Sequence, residues 1–559
     1  MKLILIQPPV QDFYDTDVRL QPIGLAYLKA AIRRHLPHIE VKILDFHHGW
    51  GRRTLPVPQE LAYLKRYYAW QDRSPFSTFH AYYHFGAGFD VIADEVACER
   101  PDLVGISSLF SPYYREVLAT AAAIKKQCDV PVLLGGSHIS AMPEFMLAQE
   151  GVDFIIRGEG ERPMVAFLQA WQNGRDWSRI PNLGYKENGR LMLNGIQDND
   201  EMDELAVPDL SDLDPSRYHF GRKPMSFLIT SRSCPHRCSF CSVHQTFGVR
   251  YRRHSIDRVM EEIHTRYREG IRVLDFEDDN LTYFREEMKT LCRRLIDEFP
   301  PGELECLAMN GISYLSLDDE LLELMKKAGF THLNLALVSS DTTVRETTKR
   351  PHTVEKFVSV VEKGFALGFR IVAYQILGLP NESLDSMIQT LTFLAAQPVL
   401  IGSSPFYLTP NSPIARDFPP PTPCDVFRAR LTAMAIETDA CSRDDLFTLF
   451  VTTRILDFLK SIPLSQEAIE WEEGMASLAA RSERDRQGVR LLKNLLAGQG
   501  LAAWTPQGDR PIEGFKSDLF LKVWTRLEAL RTQHGVSLDL PRLEDLPHSI
   551  LLTSSAKTA

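Results

Sequence analysis

Three cysteines, Cys234, Cys238 and Cys241, stand in the spacing C-x3-C-x2-C directly after an apolar, β-like run at residues 225–230. The thiolate is the metal-binding form of cysteine, and one short loop at a strand's carboxyl end brings three of them to one place. Three thiolates occupy three corners of a 4Fe-4S cube and leave the fourth iron without a protein ligand, unlike a ferredoxin held by four cysteines. That open iron is a place for a substrate or cofactor. The competing chemistry is a structural zinc, with His236 or His244 completing a Cys3His set.

With Phe240 before the last cysteine, the run Cys-x3-Cys-x-aromatic-Cys resembles the signature of the radical S-adenosylmethionine (SAM) enzymes. The resemblance implies that SAM chelates the open iron through its amino and carboxylate groups, and that one electron from the cluster cleaves it to methionine and a 5'-deoxyadenosyl radical. Strand and helix patterns then alternate to about residue 418, with strands at 225–230, 273–276, 305–309, 332–337, 370–377 and 399–407 and a helix at 256–269. They predict a partial β/α barrel whose site lies at the strands' carboxyl ends. In the family, the loop after the second strand presents backbone groups to the SAM amino group. Here it reads Glu277-Asp278-Asp279, and carboxylates suit a neighbouring ammonium, although three acids would also suit magnesium. Ser339 and Ser340 stand where the family contacts the SAM ribose, with Val338 in place of the usual glutamate. Arg350 either pairs with the SAM carboxylate or is a solvated surface arginine. Gly378, in Gly378-Leu379-Pro380, resembles the Gly-x-Pro strand end that contacts adenine, and 406–413 resembles the closing proline-rich loop.

Upstream, apolar runs at 3–7, 41–45, 103–107, 132–134 and 154–157 alternate with helical patterns, the first helix spanning 23–35 behind Pro22. This predicts a Rossmann-like parallel sheet covered on both faces. Ligands of such sheets sit beyond the strands' carboxyl ends, which points to Ser107-Ser108-Leu109, to Gly135-Gly136 and to 157–161. Together these resemble the amino-terminal cobalamin-binding domain of cobalamin-dependent radical SAM enzymes, in which Ser107, Leu109, Gly135 and Gly136, with Ser108 between them, would line the groove for the nucleotide tail. The family members that ligate cobalt through protein carry Asp-x-His-x-x-Gly after the first strand. Residues 8–15 contain no histidine, so the resemblance implies cobalt held without a protein imidazole; His47, His48 and His138 are not assigned to it. A Rossmann-like scaffold that no longer binds cobalamin is the alternative.

The predicted fold class is thus α/β, in four parts: a cobalamin-binding Rossmann-like domain at 1–176, a connector at 177–223, a radical SAM partial barrel at 224–423 and an α-helical domain at 424–559. The connector holds an Asn188-Gly189 hairpin turn and an acidic, linker-like run at 198–215. The last part shows helical spacing at 426–439, 446–462, 478–496 and 519–530, and its Cys424 and Cys441 read as buried apolar residues. The aromatic-rich stretch 50–89 reads as packing. A net charge of −10 and a pI near 5.9 argue against nucleic-acid binding. No apolar run reaches the roughly 20 residues of a membrane span, and nine cysteines without a disulfide pattern fit the cytoplasm.

The expected function is C-methylation of an unactivated carbon in a small-molecule, lipid or natural-product substrate, with 4Fe-4S cluster, SAM and cobalamin as cofactors and flavodoxin or ferredoxin as reductant. Ring formation, ring contraction or rearrangement would use the same cofactors. Sulfur transfer to tRNA would need a second cysteine trio near the amino terminus, where only Cys98 and Cys128 lie. A zinc-stabilised, non-catalytic binding module is the alternative of another class.

Overall fold

Alternating apolar strands and amphipathic helices build two parallel sheets in succession. The computed structural model describes residues 1–16, 20–197, 201–462 and 467–545. The first unit contains β1 (Lys2–Gln7), α1 (Ile23–His35), β2 (Glu40–Asp45), β3 (Leu103–Ser107), β4 (Val132–Gly135), α2 (Ser137–Ala141), β5 (Phe154–Ile156) and α3 (Glu161–Gln172). Its five strands are parallel in the order 2-1-3-4-5. That is the flavodoxin-like order, whose binding crevice opens where the order reverses, between β1 and β3. Both faces are covered, so β1 is apolar throughout its centre: Leu3, Ile4, Leu5 and Ile6 are buried.

The Asn-Gly turn forms as its sequence predicts, joining β6 (Leu183–Glu187) to β7 (Arg190–Leu193). This hairpin adds antiparallel to the free edge of β5, so it extends the first sheet. The acidic run begins at 198–200, outside the described residues. From 201 onward it is irregular and tied to α1, where the Lys29 ammonium lies 2.5 Å from Asp212 and 3.6 Å from Asp209.

The second unit comprises β8 (Lys223–Leu228), α4 (Val243–Phe247), α5 (Ile256–Arg268), β9 (Val273–Phe276), β10 (Glu305–Leu307), β11 (His332–Val338), β12 (Arg370–Leu377) and β13 (Leu400–Pro405). Two parallel sets, β8-β9-β10 and β11-β12-β13, are joined by the parallel bridges Cys306–Phe330 and Ile312–Leu335. The result is an open, six-stranded barrel. Its strands run parallel, and the residues that follow β8, Ile229 and Arg232, reach the first unit's crevice.

Beyond the prolines, a capping box of Ser442 and Asp445 starts the long α6 (Arg443–Lys460), which packs on the closing strands of the barrel. The 50–89 stretch packs on the other side of that helix, with Tyr67 against Phe447, Phe76 against Phe458 and Phe79 against Phe450 at ring separations of 5.2, 5.4 and 6.1 Å. Three expectations are corrected here. The helix predicted at 426–439 stops at Phe427, because Arg430 must be extended to reach the amino-terminal unit. There it donates to the carbonyls of Gln11 and Pro112 and to Asp12 at 2.8 to 3.1 Å, while Thr432 donates to the same carboxylate. A buried ion pair outweighs local helix propensity. The helix predicted at 478–496 is broken at the extended Ser482 into α7 (Trp471–Arg481) and α8 (Glu483–Leu496). The predicted all-helical domain also carries two short hairpins, Ala502–Thr505 with Gly508–Pro511 and Leu530–Arg531 with Ser537–Leu538. Among the described residues no helix is long and apolar enough to cross a membrane.

Candidate functional site

The cysteine loop is held at its base before any metal enters. Ser231–Arg232 pairs antiparallel with Arg252–Arg253 and closes residues 233–251 into a loop above β8. Ser233 enters it at φ 74°, uncommon for a non-glycine residue. Its hydroxyl donates to the Gly248 carbonyl at 2.7 Å and its backbone amide to Asp279 at 3.2 Å. Asp278 accepts from the amide and hydroxyl of Thr230 and from the hydroxyl of Ser231. Of the three acids in that loop only Asp279 therefore lines the open cavity. Asp278 is buried as a structural acceptor, and Glu277 stays at the strand end with its carbonyl accepting from Asn310. Burial pushes Asp279 up to about 7, with the charge of Asp278 adding to it.

The thiols have donors around them. Asn280 Nδ2 donates to Cys234 Sγ at 3.5 Å, and the Arg350 guanidinium donates to Cys238 Sγ at 3.7 Å and to the Ala336 carbonyl at 2.6 Å. N–H donors to the sulfurs stabilise thiolate charge and tune a cluster's potential. Burial pushes Cys241 up to about 11, a shift that coordination reverses because a metal-bound thiol is deprotonated outright. Of the two histidines of the zinc reading only His244 is hydrogen-bonded through its ring, whereas His236 Nε2 is buried without a hydrogen-bond partner. His244 Nε2 is bonded to the Cys234 carbonyl at 2.7 Å, and His236 packs edge-on against His352 at 5.2 Å. Among the described residues no three His, Cys, Asp or Glu side chains are gathered closely enough to cage a single ion. Three thiols on one clamped loop, none of them in a disulfide, fit three corners of a cube.

At the β1/β3 switch point an apolar groove of about 230 Å3 runs between the sheet and α1. Ser107, Leu109, Gly135 and Gly136 line it, as their place after β3 and β4 predicts. Ser108 does not: it is buried behind the groove, where its amide donates to the Gly135 carbonyl at 2.7 Å. Gly136 has φ 113°, and a Cβ there would lie 2.7 Å from the Ser108 carbonyl oxygen. Strain at such a position costs about 1–3 kcal/mol, so Gly136→Ala is expected to weaken cobalamin retention by roughly tenfold or more, read from corrinoid absorbance comigrating with the protein on gel filtration. The residues present thus fit a nucleotide tail: an apolar slot with glycine backbone at its rim.

A second cavity of about 530 Å3 lies between the two units. Phe240, Cys241, Asp279 and Tyr407 face it from the barrel side, and Tyr14, Phe110 and His138 from the sheet side. Groove and cavity share Leu109, Ser137, Thr246 and Phe247 as common walls. Helix α4, which begins two residues after Cys241, supplies the last two of these and packs on α2. Other predicted contacts are placed elsewhere. The Ser339 and Ser340 hydroxyls turn under the barrel to Glu382 and Thr390 at 3.0 to 3.3 Å, so they are spent on packing. Gly378 backs onto Leu446 of α6. Val338, in the place of the missing glutamate, takes φ 73° at a bulge in β11.

Four charges join the two units, two of them in the 157–161 loop that the sequence pointed to as a ligand loop and two, Arg232 and Arg252, to which it gave no role. Arg232, two residues before Cys234, lies 2.9 Å from Glu159 and 2.6 Å from Glu161, and Arg252 pairs with Glu159. All four are buried. Glu159, Glu161 and Arg232 also line the groove. Burial works against the ionised form of Glu161, but Arg232 outweighs it and holds the carboxyl below its ordinary range.

A flavodoxin-like sheet with a tail-sized slot, set against an open barrel with three clustered cysteines at its mouth, defines a metal-cluster enzyme coupled to a second cofactor domain. Comparison with known families agrees in both halves: residues 228–394 match the Radical SAM superfamily and residues 81–168 match the B12 binding domain. The chain thus carries a Radical SAM domain preceded by a B12-binding domain. It is 26% identical over 401 residues to an uncharacterized methyltransferase of Pyrococcus horikoshii, covering 70% of this chain and 77% of that one. An anaerobic magnesium-protoporphyrin IX monomethyl ester cyclase of Rubrivivax gelatinosus is 24% identical over 309 residues, 54% of this chain and 55% of that one. Among solved structures, the radical S-adenosylmethionine methyltransferase TsrM from Kitasatospora setae, with cobalamin and a 4Fe-4S cluster bound, superposes with a TM-score of 0.56 at 19% identity, covering 74% of this chain and 77% of that one.

Proposed function

We propose that this chain is a cobalamin-dependent radical SAM methyltransferase that acts in the cytoplasm on an unactivated carbon of a small-molecule, lipid or natural-product substrate. The observation that carries it is the shared wall: the groove for a nucleotide tail and the cavity at the cysteines have Leu109, Ser137, Thr246 and Phe247 in common. Bound there together, cluster and SAM supply a 5'-deoxyadenosyl radical and cobalamin supplies a methyl group.

The protein's part is to hold, orient and exclude. Cys234, Cys238 and Cys241 hold the iron and leave one position open. Asp279 faces the cavity, where a bound ammonium would bring its raised carboxyl back toward the ionised form. Phe240 and Tyr407 give the barrel side an aromatic wall that keeps water from the reacting atoms, and fixed walls on both sides hold those atoms in near-attack geometry. A reductant must deliver one electron to the cluster for each cleavage.

The similarity to a cyclase favours a second reading, in which the same cofactors close or rearrange a ring. Turnover with SAM carrying a labelled methyl group separates the two. Methylation is expected to give a product heavier by one methylene unit and carrying the label; an unlabelled product that has lost hydrogen would mean ring formation.

A further inference from the structure

We infer that the outer face of the cysteine loop is a docking surface for an acidic, low-potential one-electron carrier protein. The inference rests on the radical reading above, and deepens it by assigning the reductant a place on the molecule.

The first observation is charge. The chain carries a net charge of −10, yet between Pro224 and Ile256 it has five arginines and no aspartate or glutamate. Arg232 and Arg252 are buried and neutralised by Glu159 and Glu161. Arg237, on the loop itself, and Arg250 are exposed. Arg253 is half-buried beside them and pairs with Glu287 at 3.5 Å, Glu286 is drawn to Lys289, and Lys349 adds a further exposed cation next to Arg350. The one ion pair of Arg250 is with Glu201 at 2.8 Å, and both partners are more than half exposed, so it removes little of the local potential.

The second observation is an exposed aromatic patch among these cations. Tyr283 and Phe284 are 41% and 42% exposed, and Val249 is 63% exposed. Tyr251, Tyr283 and Phe284 form a closed triangle with ring separations of 5.1 to 5.4 Å. Large exposed apolar groups rimmed by charge mark interaction sites.

The third observation is continuity with the cysteines. Tyr251 donates to the Asn280 carbonyl at 3.1 Å, and Asn280 donates to Cys234 Sγ. Tyr283 touches the ring of His236, which lies between Cys234 and Cys238 in the loop, at 6.4 Å. The opposite side of the loop, at Phe240 and Cys241, faces the reaction cavity. A carrier seated on the patch is separated from Cys234 by the single residue Asn280. Its step balances simply: the carrier is oxidised by one electron, the cluster is reduced by one, and no bond or proton moves. A basic, aromatic face on an acidic protein selects an acidic partner by steering and by suppressing wrong encounters.

The test uses full-length, reconstituted enzyme and reads 5'-deoxyadenosine formed from SAM with two reductants, reduced flavodoxin and dithionite. Arg250→Glu and Arg237→Glu are each expected to slow the flavodoxin-driven rate about tenfold at low salt, to leave the dithionite-driven rate and iron content unchanged, and to be rescued by lysine at the same position. The wild-type flavodoxin-driven rate is expected to fall with added salt while the dithionite-driven rate does not. Flavodoxin- and ferredoxin-driven rates that ignore both charge reversals, with dithionite still effective, would overturn the docking surface alone. No cleavage with any reductant would overturn the radical reading and this surface with it.

Discussion

Cys234→Ala, Cys238→Ala and Cys241→Ala each reduce 5'-deoxyadenosine formation to background, and iron falls from about four per chain toward zero, while bound cobalamin is retained. The first half follows from ligand count: two thiolates do not hold a cube against exchange. The second half follows from position. None of the three cysteines lines the groove, and the sheet that forms it has its own core beneath α1 and α3, built on Leu3, Leu5, Leu133 and Phe167. Cobalamin absorbance and iron analysis on the same preparations check both halves. Cobalamin lost from all three variants would mean that the groove depends on the cluster.

The second large effect is expected at the buried charges that join the units. Arg232→Met leaves Glu161 ionised, buried and without its partner, a change that costs about 3–5 kcal/mol and is expected to lower the melting temperature by of order 10 °C. Cobalamin retention should fall with it, since Arg232, Glu159 and Glu161 form part of the groove wall. The double variant Arg232→Met, Glu161→Leu removes one charge of each sign and leaves Arg252 with Glu159, so most of the lost stability should return. The pH dependence has a definite sign. The folded-state pKa of Glu161 is depressed, so its contribution is present above the ordinary carboxylate range and is lost as the pH falls through the depressed value. Thermal melts of the two variants at neutral and acid pH check this. A single variant as stable as the wild type would mean that the network does not hold the units together.

Much of this site was legible in the residues, for identifiable reasons. The cysteine spacing constrains one loop, so it survives translation into structure unchanged. The strands after which Leu109, Gly136 and Asp279 fall were visible because buried parallel strands are short apolar runs with glycine or polar punctuation. What could not be read were long-range pairings. Arg430 is far from Asp12 in sequence, and its demand for an extended backbone broke a helix that local spacing predicted. Ser339 and Ser340 matched a family position, but their hydroxyls are claimed by Thr390 and Glu382 across a barrel contact. Asp278 and Asp279 are adjacent in sequence yet opposite in role, because successive side chains leave the loop on opposite sides, one toward Thr230 and one toward the cavity. The one available signal for the Arg232 network was the absence of any acid across the cysteine segment, which leaves its arginines to find partners in the other unit.

The most direct measurement is anaerobic purification with cluster reconstitution and supplied cobalamin, followed by iron, zinc and cobalt analysis and reduction in the presence of SAM. The account predicts about four irons and one cobalt per chain, with 5'-deoxyadenosine formed. Zinc without iron, and no cleavage of SAM, would contradict it.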